Sequence, residues 1–183
     1  TTKPVTGTIN MQLVESGQSD LDEPVRTYLP ELRLTDKTAE ERVTPRHLIT
    51  HMSGWVGDYF SDTGHGYDAL ARHVAETAEL AQVTPVGSIW SYNNAAFGLA
   101  GRLIEVVTGK SYETAAREMV LDPLGMDNSF FLPADVISRR FAVGHGADAE
   151  KGAVVLRPWA LARSAHAAGG LCSTVRDQLR YAR

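Results

Sequence analysis

The sequence predicts a mainly α fold. Three observations carry that prediction. Most segments repeat apolar residues every three to four positions, the spacing of one helix face. Residues that start and stop helices fall at the ends of those segments. Only Phe141–Val143 and Ala153–Leu156 read as strands, too little for a sheet of their own.

Taken in order, the first helix follows Thr1. Pro4 is tolerated in a first turn, where its missing N–H costs nothing. Val5, Ile9, Leu13 and Val14 then recur at helical spacing, and Gly17 suits the position after the helix end. Leu21, Val25, Tyr28 and Leu29 predict a short helical turn around Pro24. Thr44 before Pro45 is an N-cap followed by an N1 proline. That helix is expected to run through Leu48 and Ile49 to about Ser53, with Gly54 ending it. Gly54, Gly57, Gly64 and Gly66 mark a loop over 54–66.

Tyr67 to Leu80 is predicted helical, with Leu70, Val74 and Ala78 on one face. Pro85 and Gly87 make 83–91 an extended connection. Asn93 or Asn94 caps the next helix, whose stripe is Phe97, Ala100, Ile104 and Val107 and whose terminator is Gly109. Ser111 caps another helix through Tyr112, Ala115, Ala116 and Met119, stopped by Asp122-Pro123-Leu124-Gly125. Residues 130–170 read as irregular apart from the two short strands. Ser173 or Thr174 then caps a last helix with Val175, Leu179 and Tyr181, and Thr174 with Asp177 is a relative of the capping box.

Composition narrows the function. The chain has 183 residues, 43% hydrophobic and 22% charged, which is ordinary globular composition. One domain is expected at about 150 residues each. Eighteen Lys and Arg against 22 Asp and Glu leave a charge of -4, without the basic stripe that phosphate backbones demand. Nucleic acid is therefore not expected as a partner. Apolar runs are only a few residues long, so no membrane span is expected. The one cysteine, Cys172, excludes an internal disulfide and a multi-cysteine zinc site. Both ends read as cut: helical pattern starts almost at Thr1, and the chain stops at Arg183 without a C-cap glycine.

Several chemistries are set aside. No G-x-S-x-G elbow occurs. Gly109-Lys110-Ser111 ends a helix rather than opening one, so the N–H cradle of a phosphate loop would not form. His47 and His51 are four apart on one predicted helix face. Leu48 stands where a zinc peptidase needs Glu, and a structural role is expected for both. Cys172 with His166 as base is weighed against a buried thiol, which is preferred. An N-terminal nucleophile at Thr1 would belong on a strand, not ahead of a helix. His65, His73 and His145 have no evident partner. Trp55, Tyr59 and Trp90 are pocket candidates, with core the preferred placement.

Two features remain: Thr1-Thr2-Lys3 opening a helix, and Tyr92-Asn93-Asn94 opening the long central one. Here the sequence resembles the serine β-lactamase and penicillin-binding-protein superfamily, in its class C β-lactamase-related, esterase and DD-peptidase branch. Thr1-Thr2-Lys3 matches the last three positions of S-x-x-K, and Tyr92-Asn93-Asn94 matches Y-x-N. Leu48 to Gly54 resembles the family's LLTHTSG stretch. Gly98 to Gly109, Asp122 to Met126 and Gly169 to Thr174 resemble it too, so the likeness covers nearly the whole chain. The K-T-G or H-x-G strand motif is not found; Gly144-His145-Gly146 does not fit.

The resemblance implies the helical portion of an α+β fold, truncated at both ends, with most of the antiparallel sheet absent. It implies a serine hydrolase acting through an acyl-enzyme on a small-molecule amide, lactam or ester, without a cofactor or metal. The nucleophilic serine would precede Thr1, so the chain as given is expected to be inactive. Lys3 and Tyr92 would be catalytic and Asn94 substrate-binding. A serine hydroxyl needs a nearby base. Three positions apart on a helix, serine and Lys3 would share a face. Either a neutral Lys3 amine or a Tyr92 phenolate, stabilised by the Lys3 charge, would take the proton. The alternative is a non-catalytic helical binding or interaction module, with self-association through the face left by the missing sheet.

Overall fold

The computed structural model describes residues 1–157, 159 and 161–183. The first helix, α1, spans Thr2–Glu15, and the chain leaves it through Ser16 and then Gly17 at φ 72°. That left-handed step suits glycine, which has no Cβ to clash. A 3₁₀ turn follows at Val25–Thr27, after Pro24 as expected. α2, Lys37–Arg42, was not predicted. It is six residues long, and its clearest signal is Asp36, whose carboxylate accepts the Ala39 N–H at 3.0 Å.

α3 spans Pro45–Ile49 and stops short of the predicted Ser53. The reason is local. His51 takes φ 62°, and the Met52 N–H closes back on the His47 carbonyl at 2.9 Å. This is a Schellman-type ending with His51 in the left-handed position. Gly54, at φ 84°, therefore lies beyond the helix rather than terminating it.

α4 covers Ala69–Glu76 and tightens into a 3₁₀ turn at Thr77–Glu79. α5, Asn94–Thr108, is capped by Asn93, whose side chain accepts the Ala96 N–H at 2.8 Å, and ends at left-handed Gly109. α6 spans Tyr112–Ala116 from a Ser111 cap and continues as a π-helical turn through Arg117–Leu121. α7 is a single turn at Pro133–Val136.

Of the two expected strands, Ala153–Leu156 falls within one residue of an observed strand and Phe141–Val143 was misplaced. β1 is His145–Asp148 and β2 is Gly152–Val155, antiparallel, with His145 opposite Val155. The turn decides the register. Asp148 accepts the N–H groups of Glu150 and Lys151 at 2.9 and 2.8 Å, and Gly152 takes φ 72°. Phe141–Val143 is left outside the ladder. The 130–170 region also holds more helix than expected: a 3₁₀ turn at Arg163–Ala165 runs into α8, His166–Gly169. α9, Val175–Tyr181, is capped by Thr174, which accepts the Asp177 N–H. No described helix is long and apolar enough to cross a membrane.

Two apolar clusters form the core. Val5, Ile9 and Leu13 of α1 pack with Leu103, Ile104, Tyr112, Leu121 and Phe131. Val25, Leu29, Leu48, Trp55 and Val74 pack with Ala95, Ala96 and Leu99. Both clusters use α5, which is buried on nearly every side over residues 95–101. The predicted single stripe was too narrow. Its small residues permit the close approach: a Cβ on Gly98 would run into the His73 ring, and one on Gly101 would lie 2.5 Å from the Ala167 methyl. α5 is thereby held between α1, α4 and α8, and its N-terminus lies beside the start of α1.

Candidate active site

The site begins with a lysine. The first turn of α1 projects Lys3, and its Nζ donates to Asn94 Oδ1 at 2.6 Å and to the Ala168 carbonyl at 2.8 Å. The same nitrogen lies 4.7 Å from the centre of the Tyr92 ring and 5.2 Å from that of Phe97. Lys3, Tyr92 and Asn94, far apart in sequence, therefore meet at one place. Asn94 is not the cap of α5; Asn93 is, and this leaves the Asn94 amide free for Lys3.

Each partner is itself anchored. Asn94 Nδ2 donates to Asp58 Oδ1 at 3.1 Å, which fixes the amide with its oxygen toward Lys3. Asn93 is buried and its Nδ2 donates to the Trp55 carbonyl at 2.8 Å. The Gly57 carbonyl accepts the N–H groups of Asn94 and Ala95 at 2.9 and 3.2 Å, satisfying donors of the first turn of α5. A Cβ on Gly57 would strike the Tyr92 carbonyl oxygen and come within 2.9 Å of Asn93 Cα, so the loop approaches the Tyr92–Asn93 backbone closely because the residue is glycine.

α8 supplies the Ala168 carbonyl, and buried polar contacts hold α8. Thr6 Oγ1 donates to the Ala167 carbonyl at 2.7 Å, so the 2.7 Å contact with Tyr112 is the phenol donating to Thr6. His166 Nδ1 donates to Glu113 Oε1 at 2.7 Å, and Arg163 meets the same carboxylate through Nε and Nη2 at 3.0 and 2.9 Å. Burial alone would raise the Glu113 carboxyl. The His166 and Arg163 hydrogen bonds override it and hold the group at about 2. The Thr2 hydroxyl accepts the Leu171 N–H at 3.0 Å, tying the chain beyond α8 to the start of α1.

Other sequence candidates fall away. His47 Nδ1 accepts the Thr44 N–H at 3.2 Å, and His51 Nδ1 accepts the Asn93 N–H at 3.0 Å. They do not share a helix face, because α3 ends before His51. Among the described residues no group of three His, Cys, Asp or Glu could hold a metal ion. His166 is engaged by Glu113, and burial pushes the Cys172 thiol up, away from the reactive thiolate. Cys172 is half-buried rather than fully buried. Trp55 is core, Tyr59 is half-buried with its hydroxyl on Glu76, and Trp90, expected in the core, is 61% exposed. The sequence reading missed Asp58 and the Ala168 carbonyl. Asp58 sits in a glycine-rich loop without periodicity, and a backbone carbonyl leaves no mark in sequence.

Comparison with known proteins defines the class of the fold. The sequence pattern of the Beta-lactamase family matches residues 1–183, and the chain belongs to that family. Penicillin-binding protein 4 of Amycolatopsis lactamdurans is 37% identical over 186 residues, covering 99% of this chain and 48% of that protein. Esterase EstB of Burkholderia gladioli is 32% identical over 157 residues, covering 78% of this chain and 39% of its own length. The chain thus spans about half or less of these relatives. Among solved structures, the octameric penicillin-binding protein homologue from Pyrococcus abyssi superposes with a TM-score of 0.84 at 30% identity, over 99% of this chain and 42% of that one. A class C β-lactamase from Rhodobacter sphaeroides gives 0.74 at 26%, over 98% and 48%. The helical architecture is that of a portion of this fold.

Proposed function

We propose that residues 1–183 carry the general-base half of a serine hydrolase site that acts on an amide, lactam or ester through an acyl-enzyme. The observation that carries this reading is the Lys3–Asn94 hydrogen bond at 2.6 Å with the Tyr92 ring beneath the same nitrogen. The nucleophile is a serine immediately before Thr1. Three positions ahead of Lys3, it would share a helix face with it once α1 extends back through Thr1. Asn94 Oδ1 and the Ala168 carbonyl accept two N–H bonds from Lys3. Once it has given up its own proton, an amine so held keeps its lone pair for the serine proton. The hydroxyl oxygen then bonds to the carbonyl carbon, the leaving group departs with a proton, and water releases the acyl group. Backbone N–H groups of that serine and of a strand beyond Arg183 stabilise the oxyanion. Half-exposed Tyr92, beside Lys3, gives its phenolic proton to the leaving group and recovers one from the Lys3 ammonium that the serine proton formed.

The test is covalent labelling of the full polypeptide, with the residue before Thr1 and the segment beyond Arg183 both present, by a fluorescent penicillin and by a fluorophosphonate. The adduct is expected on the peptide adjoining Thr1-Thr2-Lys3. Lys3→Met should slow labelling by about 10²- to 10⁴-fold, the usual worth of a positioned base. Tyr92→Phe should spare acylation more than Lys3→Met does. No adduct, or an adduct elsewhere, overturns the reading.

A further inference from the structure

His51 grips the chain on both sides of Tyr92. Its backbone carbonyl accepts the Ser91 N–H at 3.0 Å, and its Nδ1 accepts the Asn93 N–H at 3.0 Å. Between those two bonds the imidazole lies against the Tyr92 ring, with centres 4.6 Å apart and planes 31° apart. The imidazole also meets Phe97 at 5.1 Å and the edge of Trp90 at 5.7 Å. The rings of Tyr92 and Phe97 are the two that flank Lys3 Nζ. His51 thus contacts the aromatic floor of the site without touching Lys3's hydrogen-bond partners.

The backbone at His51 shows how the ring reaches this place. Among the described residues it alone, glycines apart, has a positive φ, at 62°. That conformation is uncommon for a side-chain-bearing residue, and His, Asn and Asp are enriched in it. It ends α3 and turns the imidazole toward Tyr92. Burial first, then the Lys3 charge, push the imidazole below its ordinary range, so the ring is neutral at pH 7. Nδ1 accepts, so the proton sits on Nε2.

Tyr92 needs such a hold. It is 51% exposed, and Ile89 and Trp90 ahead of it are exposed as well. On the far side the segment is fixed through Asn93 and Asn94, by Trp55 and Gly57.

We propose that His51 is a positioning residue: its paired hydrogen bonds to Ser91 and Asn93 keep the Tyr92 ring under Lys3 Nζ. This rests on the hydrolase reading above. The test compares His51→Gly with His51→Asn. Both residues accept the left-handed backbone, and only Asn returns an acceptor where Nδ1 stood. Glycine takes φ 62° without strain, so the glycine variant reads the loss of Nδ1 and not a backbone penalty.

Two quantities are read in the full polypeptide, with the residue before Thr1 and the segment beyond Arg183 both present. The first is hydrogen exchange of the Asn93 amide, expected to quicken about tenfold in His51→Gly and to recover in His51→Asn. The second is the rate of covalent labelling by a fluorescent penicillin. It should fall about 10- to 100-fold in His51→Gly at saturating probe, with half-saturation little moved, and be largely restored in His51→Asn. Labelling of His51→Gly at the parent rate, or His51→Asn no better than His51→Gly, overturns the proposal and leaves the hydrolase reading intact. A parent protein that never labels overturns the hydrolase reading instead. The Asn93 exchange then decides the clamp by itself, and an unchanged rate in His51→Gly refutes it.

Discussion

Replacing Glu113 with glutamine tests the buried contacts that hold α8 against Lys3. The carboxylate accepts from His166 Nδ1 and from two nitrogens of Arg163, and the ion pair is 12% exposed on each side. Its ordinary value of 4.5 falls to about 2 in the fold: burial works against ionisation, and the His166 and Arg163 hydrogen bonds outweigh it. At about 1.4 kcal/mol per pH unit the gap is worth about 3 kcal/mol. The sign follows from the depressed value. Above pH 4.5 both folded and unfolded carboxyls are ionised, and the stabilisation is fully present. Between 4.5 and about 2 the unfolded chain takes up a proton and the native one does not, so the stabilisation drains away. Glutamine keeps the shape but turns one oxygen into an amide donor facing donors, and it leaves the Arg163 guanidinium without its anion. Urea unfolding followed by tryptophan fluorescence should show Glu113→Gln less stable by about 3 kcal/mol at pH 7, in line with other broken buried pairs. The difference should shrink steadily below pH 4.5 and approach zero near pH 2. A difference under about 1 kcal/mol at pH 7, or one that stays constant down to pH 3, would refute the reasoning.

Gly57→Ala should push the Tyr92–Asn93 backbone away from the loop, costing about 1–3 kcal/mol of stability as overpacking does and slowing penicillin labelling. Thermal melts and the labelling rate check it, and a variant that matches the parent in both would show that the loop yields freely. Thr6→Val removes the acceptor of the buried Tyr112 phenol and the donor to Ala167, at about 1–3 kcal/mol. Adding Tyr112→Phe should recover part of that loss, because the stranded hydroxyl goes with it. Strictly additive losses in a double-mutant cycle would contradict the Thr6–Tyr112 hydrogen bond.

What the sequence made legible was local. Thr44-Pro45, Asn93, Gly109, Ser111 and Thr174 marked helix ends because a cap or a left-handed glycine satisfies backbone groups within a few residues of itself. Lys3, Tyr92 and Asn94 stood out through a family pattern in their order, and the fold brings those three side chains together. α8 escaped because four residues, His166–Gly169, have no periodicity to read. They are helical where Glu113 and Thr6, from distant segments, hold them.

His51 shows the limit most clearly. Four residues after His47, it was expected on the same helix face, where a shared metal was weighed and a structural role preferred. That inference needed the helix to continue, and His51 itself ends it by turning left-handed. The same φ that breaks the predicted pairing delivers the imidazole to Tyr92 and Asn93. Helical spacing assigns residues to faces only while the helix lasts. At a terminus, one dihedral angle outweighs the period and decides which part of the molecule a side chain serves.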